Sequence, residues 1–410
     1  MFAFLEGLAA LCLLLLVLQD AFEVMLLPRR VRRRWRLMRL FFRSTWSGWK
    51  AAARRVPAGP RRESFLSVYG ALSMVMLFAL WALGLVLAFG TLEWVLQAGR
   101  RSSLPEQLYM SGVTFFTLGY GDVVPHSGAG RLLAVVEAGT GIGFIAIVIG
   151  YLPVLYQLFS RREAHVIRLD GRAGSPPTAC AMLCRHAEAG GLDRLDDLLR
   201  EWEVWGSELL ESHLSYPMLV YYRSQHDNQS WLAALAAVMD TCAAILVGVE
   251  AVRPLQARMT FTLARQVLVE MAHSFAIAPS RYDGGDRLGP EVYARMEAEF
   301  AAADLGWTAG DGTRETLAAL RATYEPLLDG LSRHLLLPLP GWVADADAVD
   351  HWEHGHRGAI AGRLVEQLSD RDGPSGATGR VAPGGGWRKL RARLKGGQDK
   401  VSVAAGDHVR

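Results

Sequence analysis

The sequence predicts an all-α membrane protein with a helical C-terminal half, and three observations carry that reading. Two long apolar stretches and a shorter one precede residue 160, 51% of the 410 residues are hydrophobic, and mean hydropathy is positive. Between the two longest stretches lies a peptide rich in glycine and polar groups. Beyond residue 178, apolar residues recur at the three- and four-residue spacing of amphipathic helices.

A bilayer core needs about 20 mostly apolar residues as helix. Residues 65–92 pass without a charge, and 132–159 pass with only Glu137. The N-terminal run 2–18 carries Glu6 and extends toward Leu27 past Asp20 and Glu23, which makes 1–28 the weakest of the three spans. A cleaved signal peptide is the rival for that run. It lacks a basic leader and would force the following arginines across the membrane.

Those arginines set the orientation. Arg29, Arg30, Arg32, Arg33, Arg34, Arg36, Arg39 and Arg43 crowd behind the first run, Arg61-Arg62 precede the second span, and Arg161-Arg162 follow the third. Cationic loops stay inside, so the expectation is a multi-pass protein of the cell (inner) membrane, N-terminus outside and C-terminal region cytoplasmic. Within the basic segment 29–63, arginines at 30, 33, 36 and 39 have the spacing of a voltage-sensing helix. Extra arginines at 29, 32 and 34 crowd that pattern, and no acidic partner helix precedes it. The segment reads instead as an interfacial helix, with Leu37, Leu40, Phe41 and Phe42 in lipid and Arg29, Arg30, Arg33 and Arg36 against anionic headgroups.

The polar stretch between the long spans is built in two parts. Ser103 can cap a helix, Glu106 completes a capping box and Pro105 suits the first turn, so a short helix runs to about residue 116. Its partially negative C-terminus points into the membrane, a favourable field for a cation. After it comes Thr117-Leu118-Gly119-Tyr120-Gly121-Asp122. Non-helical backbone at membrane depth is tolerated only where it is buried in protein or lines a wet cavity. Glycines that adopt positive φ let successive carbonyls turn to one side, and such oxygens replace the hydration shell of a cation. The Thr117 hydroxyl adds a further ring.

With a helix before it, Pro125 after it and spans on both sides, this hexapeptide resembles the pore module of the potassium channel family over residues 64–160. The resemblance implies an ion-binding filter of Thr117, Leu118, Gly119, Tyr120 and Gly121, with K⁺ as the bound and permeant ion and Asp122 at the outer mouth. It also places Gly141 at the family's gating glycine, with Pro153 as a second weak point of the inner helix. The alternative for Gly141 is close packing against a neighbouring element. Leu118 stands where valine is commoner. Val113 and Met110 occupy positions where some bacterial members carry a carboxylate and an aromatic, so Asp122 needs other partners. One filter per chain cannot surround an ion, and the resemblance to the family's four-fold pore implies a homotetramer. No organic cofactor and no nucleic-acid partner is expected.

The remainder divides into a linker 161–177, with an extended stretch at 165–169 and a turn at 174–177, a helical cytoplasmic domain 178–369, and a disordered glycine-rich tail 370–410. Helices are expected at 192–213, 230–249, 255–276, 290–305 and 315–336, and Asp240 marks the apolar 231–249 as a core helix rather than a fourth span. Residues 212–217 and 223–229 read either as ligand or intersubunit contacts or as solvated connections. Of Cys12, Cys180, Cys184 and Cys242, the pair Cys180 and Cys184 lie one helical turn apart, where a metal would need further ligands, and they read as buried thiols. His351, His354 and His356 read as surface histidines, so no metal beyond K⁺ is expected.

No catalytic constellation is visible, and no glycine-rich strand-turn-helix follows the pore; the glycines at 139–143 lie within a span. The expected function is a tetrameric potassium-selective channel with a cytoplasmic helical regulatory domain. A weakly selective cation channel and a membrane-anchored signalling or scaffold protein with a silent pore are the alternatives.

Overall fold

The computed structural model describes residues 2–25, 37–97, 103–188, 190–225, 228–277 and 286–345. Those residues form an all-α fold with three helices long and apolar enough to cross a membrane. The arginines at 29–36, the histidines at 351–356 and the tail 370–410 lie outside the described residues.

Helix α1 (Phe2–Met25) packs along α3 (Pro60–Leu96), with α2 (Leu37–Ala53) between them in sequence. Asp20, the acid that weakened the first span in the sequence, accepts a 3.0 Å hydrogen bond from Trp81 Nε1 on α3. A carboxylate in lipid is costly unless it is partnered, and this pairing gives α1 a defined seat. Val17 of α1 fills the notch at Gly84, where a Cβ would come within 3.0 Å of it.

Helix α2 departs from the expected lipid-dipping surface. Phe42 is buried and stacks on Tyr221 with ring centroids 5.5 Å apart, while Trp46 Nε1 donates to the His334 carbonyl at 3.0 Å. Lys50 Nζ donates to the Arg333 carbonyl at 2.7 Å. Among the four residues expected in lipid, Leu40 is the exposed one. The aromatic face is spent on protein because Phe42, Trp46 and Trp49 fall at three- and four-residue spacing opposite Tyr69 and Phe65 of α3.

Helix α4 (Leu104–Phe115) is short and wedged against α3. Gly90 makes the approach possible, since a Cβ there would lie 2.9 Å from the Leu108 Cα. Helix α5 (Gly128–Ala173) then runs 46 residues without a break, Pro153 included. At 1.5 Å per residue it is about 69 Å long, roughly twice the hydrocarbon thickness of a bilayer. The stretch expected to be extended at 165–169 is helical. Leu155, Phe159, Arg162, Val166, Leu169 and Ala173 recur at three and four along one buried face, so the segment read as a linker is a packed continuation of the inner helix.

Past the turn 174–177, helices α6 (Ala179–Glu188), α7 (Leu195–Ser215), α8 (Trp231–Val247), α9 (Pro254–Ser274), α10 (Pro290–Ala302), α11 (Asp311–Arg321) and α12 (Glu325–Leu335) share one core with the lower half of α5. A 3₁₀ segment at Pro217–Tyr221 links α7 toward α8. Helix α8 is buried on all sides, and Asp240 within it is paired with Arg287 by two bonds of 2.8 and 3.0 Å. The single helix expected over 315–336 is two. Tyr324 turns inward so that its hydroxyl donates to Asp240 at 2.7 Å, and Pro326 cannot supply the amide that would carry a continuous helix across the joint.

Candidate functional site

The capping box that announces α4 is present: Ser103 Oγ accepts from the Glu106 amide, and Glu106 Oε2 accepts from the Ser103 amide at 2.9 Å. At its other end the helix gives way to residues 117–122, the stretch expected to form the filter. The Thr117 amide bonds the Thr114 carbonyl at 3.0 Å, and the Leu118 amide bonds the Val113 carbonyl at 2.8 Å.

Positive φ then recurs at alternate residues: Thr117 at 58°, Gly119 at 64° and Gly121 at 76°. Ordinary extended chain alternates its carbonyls between two sides, and a left-handed residue at every second position removes that alternation. The glycines accept this freely, with nothing within 4 Å of either would-be Cβ. Thr117 carries it at a cost of about 1–2 kcal/mol. Sequence reasoning assigned the conformation to the glycines and did not foresee Thr117. Leu118 and Tyr120 are 55% and 68% exposed, so one chain supplies their side chains with little cover.

Asp122 has a partner on α4. Tyr109 Oη donates to Asp122 Oδ2 at 2.9 Å, and the Val123 amide donates to Oδ1 at 3.1 Å. The sequence reading inspected Met110 and Val113 and missed Tyr109, one residue away. A hydroxyl on α4 that could reach past the filter was the available signal.

Behind the filter, α4 is fastened from two sides. Ser111 Oγ contacts the Val86 carbonyl of α3 at 2.9 Å and Glu137 of α5, whose side chain is fully buried. Gln107 accepts from Gln97 Nε2 at 3.0 Å. Glu93 lies against the start of α5, where a Cβ on Gly130 would come 2.8 Å from its Oε2. Ser111, Glu137 and Glu93 were absent from the sequence-derived site, because Ser111 and Glu137 meet across two helices and Glu93 comes against Gly130 only in the fold.

Gly141 is not free space. A Cβ there would stand 2.0 Å from the Phe115 carbonyl oxygen, whereas at Gly139 and Gly143 nothing lies within 4 Å. The inner helix is thus seated on the end of α4 through Gly141.

Of the two stretches 212–217 and 223–229, the first packs against protein through buried Ser212 and His213, while the second holds a half-buried Arg223 and the exposed Gln225 and Asn228. Arg162, buried at the lower end of α5, sends Nη1 to the Leu219 carbonyl at 2.9 Å and Nη2 to the Tyr222 carbonyl at 2.8 Å, and it lies 3.3 Å from His213 Nε2. Burial, and then the neighbouring Arg162, hold the His213 imidazole well below its ordinary pKa. Arg223 bonds Glu63 of α3 at 3.3 Å and the Leu336 carbonyl at 3.0 Å. His226 and Asp227 lie outside the described residues.

Residues 81–157 match a family described as "Ion channel". A cyclic nucleotide-gated potassium channel of Rhizobium etli is 34% identical over 95 residues, which is 23% of this chain and 27% of that protein. A putative potassium channel protein of Rhodopseudomonas palustris is 24% identical over 135 residues, covering 33% of this chain and 31% of the relative. The uncharacterised membrane protein YdjJ of Bacillus subtilis is 27% identical over 146 residues, or 35% and 41% of the two chains. The matches to these three span between 27% and 41% of the relatives' own lengths. No solved structure matches the chain. The capped helix, the alternating backbone of residues 117–121, the end of α3 and most of α5 lie within the matched residues, and this stretch is a pore module of the potassium channel family.

Proposed function

We propose that the protein is a homotetrameric potassium-selective channel of the inner membrane, N-terminus outside, whose C-terminal helical region lies in the cytoplasm and regulates opening. The observation that carries this reading is the left-handed backbone at Thr117, Gly119 and Gly121, held at the end of a capped helix between two spans. Carbonyls of Thr117, Leu118, Gly119 and Tyr120 from four chains replace the hydration shell of K⁺, and Gly121 supplies the turn that completes the filter. Asp122 concentrates cations at the outer mouth.

Assembly is supported by what a single chain leaves uncovered. Leu132, Val135 and Ile149 of α5 are 68%, 70% and 67% exposed, an apolar face for neighbouring copies and lipid. Regulation is supported by continuity: α5 is one helix from the pore to residue 173, and Arg162 fixes its lower half to the 3₁₀ segment and α7. A ligand that favours one packing of the helical region over another shifts the pore by that difference in affinity. The likeness to a cyclic nucleotide-gated channel covers 23% of the chain, and the gating ligand is not carried over from it. Arg29, Arg30, Arg33 and Arg36 meet anionic headgroups on the cytoplasmic side.

Reversal potentials of purified protein in planar bilayers under K⁺/Na⁺ gradients test the proposal. A shift toward the K⁺ equilibrium potential is expected. Equal permeability would replace it with a weakly selective cation channel, and absence of current with a signalling or scaffold protein whose pore is silent.

A further inference from the structure

Helix α6 follows the inner helix after a single turn, and it carries Cys180 and Cys184 on one face. Cys180 is fully buried, and the two Sγ atoms are 3.8 Å apart. Glu299 of α10 brings Oε2 to 2.9 Å from Cys180 Sγ, and its own carbonyl lies 3.7 Å from Cys184 Sγ. The two sulfurs and the carboxylate oxygen all lie within 4.8 Å of one another.

A tetrahedral zinc ion with thiolates at about 2.3 Å holds its sulfurs about 3.8 Å apart, and with a carboxylate oxygen at about 2.0 Å each sulfur–oxygen edge is about 3.5 Å. The observed sulfur pair meets the first requirement without movement. The second asks Glu299 Oε2 to retreat from Cys180 by about 0.6 Å. Glu299 is exposed, so its side chain has that freedom. The main chain at Cys180 is fixed independently, since its amide bonds the Trp342 carbonyl at 3.1 Å, and Phe300 beside Glu299 is fully buried. The ligand backbones are therefore positioned before any ion arrives.

We propose that Cys180, Cys184 and Glu299 form a binding site for a thiophilic divalent cation of the zinc class, with water as the fourth ligand. Binding releases one proton from each thiol to solvent and leaves two thiolates and a carboxylate on the ion, so affinity rises with pH. The ion clamps α6, the element joined directly to the inner helix, onto α10. The site stands on its own geometry and does not depend on what the pore conducts.

The test uses full-length detergent-solubilised protein, stripped of metal under reductant and titrated with Co²⁺. One equivalent per chain should raise a thiolate-to-cobalt charge-transfer absorption with the intense visible bands of tetrahedral cobalt, and Zn²⁺ should bleach both. Cys184→Ser should weaken the charge-transfer signal and lower affinity, and Glu299→Gln should lower affinity by about ten-fold or more while keeping the thiolate signal. Both substitutions sit at positions that are not fully buried, so folding survives. In the unaltered protein, Zn²⁺ should slow modification of Cys184 by a thiol reagent. Absence of charge-transfer absorption, or cobalt binding unchanged in Cys184→Ser and Glu299→Gln, would overturn the proposal.

Discussion

Replacing Gly141 by alanine separates two accounts of the inner helix. The sequence alone suggests a hinge, and on that account Gly141→Ala lowers open probability while selectivity and tetramer formation stay intact. The structure places the new Cβ 2.0 Å from the Phe115 carbonyl oxygen and 2.8 Å from its carbon, whereas real Cβ contacts essentially never fall below 3.0 Å. The helices must part by at least about 1 Å at this point, and overpacking of this kind costs about 1–3 kcal/mol. The upper end applies, because the obstacle is main chain at the end of α4 rather than a side chain that can rotate. Thr117, already at φ 58°, is two residues further on, so a displacement of Phe115 is passed to the filter. The expected result is weaker K⁺/Na⁺ discrimination in bilayer recordings and a tetramer less resistant to heat and detergent. Gly139→Ala and Gly143→Ala, which meet nothing within 4 Å in the chain, should leave both unchanged. Unaltered reversal potentials and tetramer stability with reduced opening would refute this reasoning and restore the hinge.

Asp122→Asn should lower single-channel conductance most at low ionic strength, where its field reaches furthest, and a conductance ratio independent of salt would remove Asp122 from ion capture. Tyr109→Phe deletes the hydroxyl that holds Asp122 and should shorten conducting periods without changing selectivity; unchanged dwell times would show the bond to be idle. Arg162→Met leaves the Leu219 and Tyr222 carbonyls and Glu163 without their buried cation, at a cost of about 3–5 kcal/mol, and should lower the unfolding midpoint. His334 is held at about pKa 4 by burial and then by Lys50, so the unfolded chain takes up its proton near 6.5 and the folded one does not. Stability therefore falls as pH drops from 6.5 toward 4, by about 2 kcal/mol at pH 5, and His334→Gln should flatten the dependence measured by thermal unfolding.

What was legible in the sequence is what a short stretch of chain decides for itself. The capping box at Ser103 and Glu106 satisfies amides within one turn, and the glycines at 119 and 121 declare their backbone without reference to anything distant. The three spans follow from length and apolarity alone. Misreadings occurred where a partner on another helix decides. The break in 315–336 depends on Tyr324 reaching Asp240, 84 residues away, and the fate of Phe42 depends on Tyr221. Cys180 and Cys184 read as buried thiols, and the carboxylate that lies 2.9 Å from Cys180, that of Glu299, is 119 residues away in sequence.

The same distinction bears on selectivity. A filter of carbonyls discriminates between cations only as well as its geometry is held, and the hexapeptide does not hold itself without partners outside it. Here the restraint comes from Ser111 between Val86 and Glu137, from Gln107 against Gln97, from Tyr109 on Asp122, and from Gly141 beneath Phe115. Four of these contacts tie α4 to α5, to α3 or to the residue that caps α3, and the fifth ties it to Asp122 just past the filter. A chain with the same hexapeptide but bulk at position 141, or no carboxyl at 137, would keep the signature and lose the scaffold. In the proposed channel the motif lines the ion pathway, and the interhelical contacts around α4 determine how rigidly that pathway is shaped.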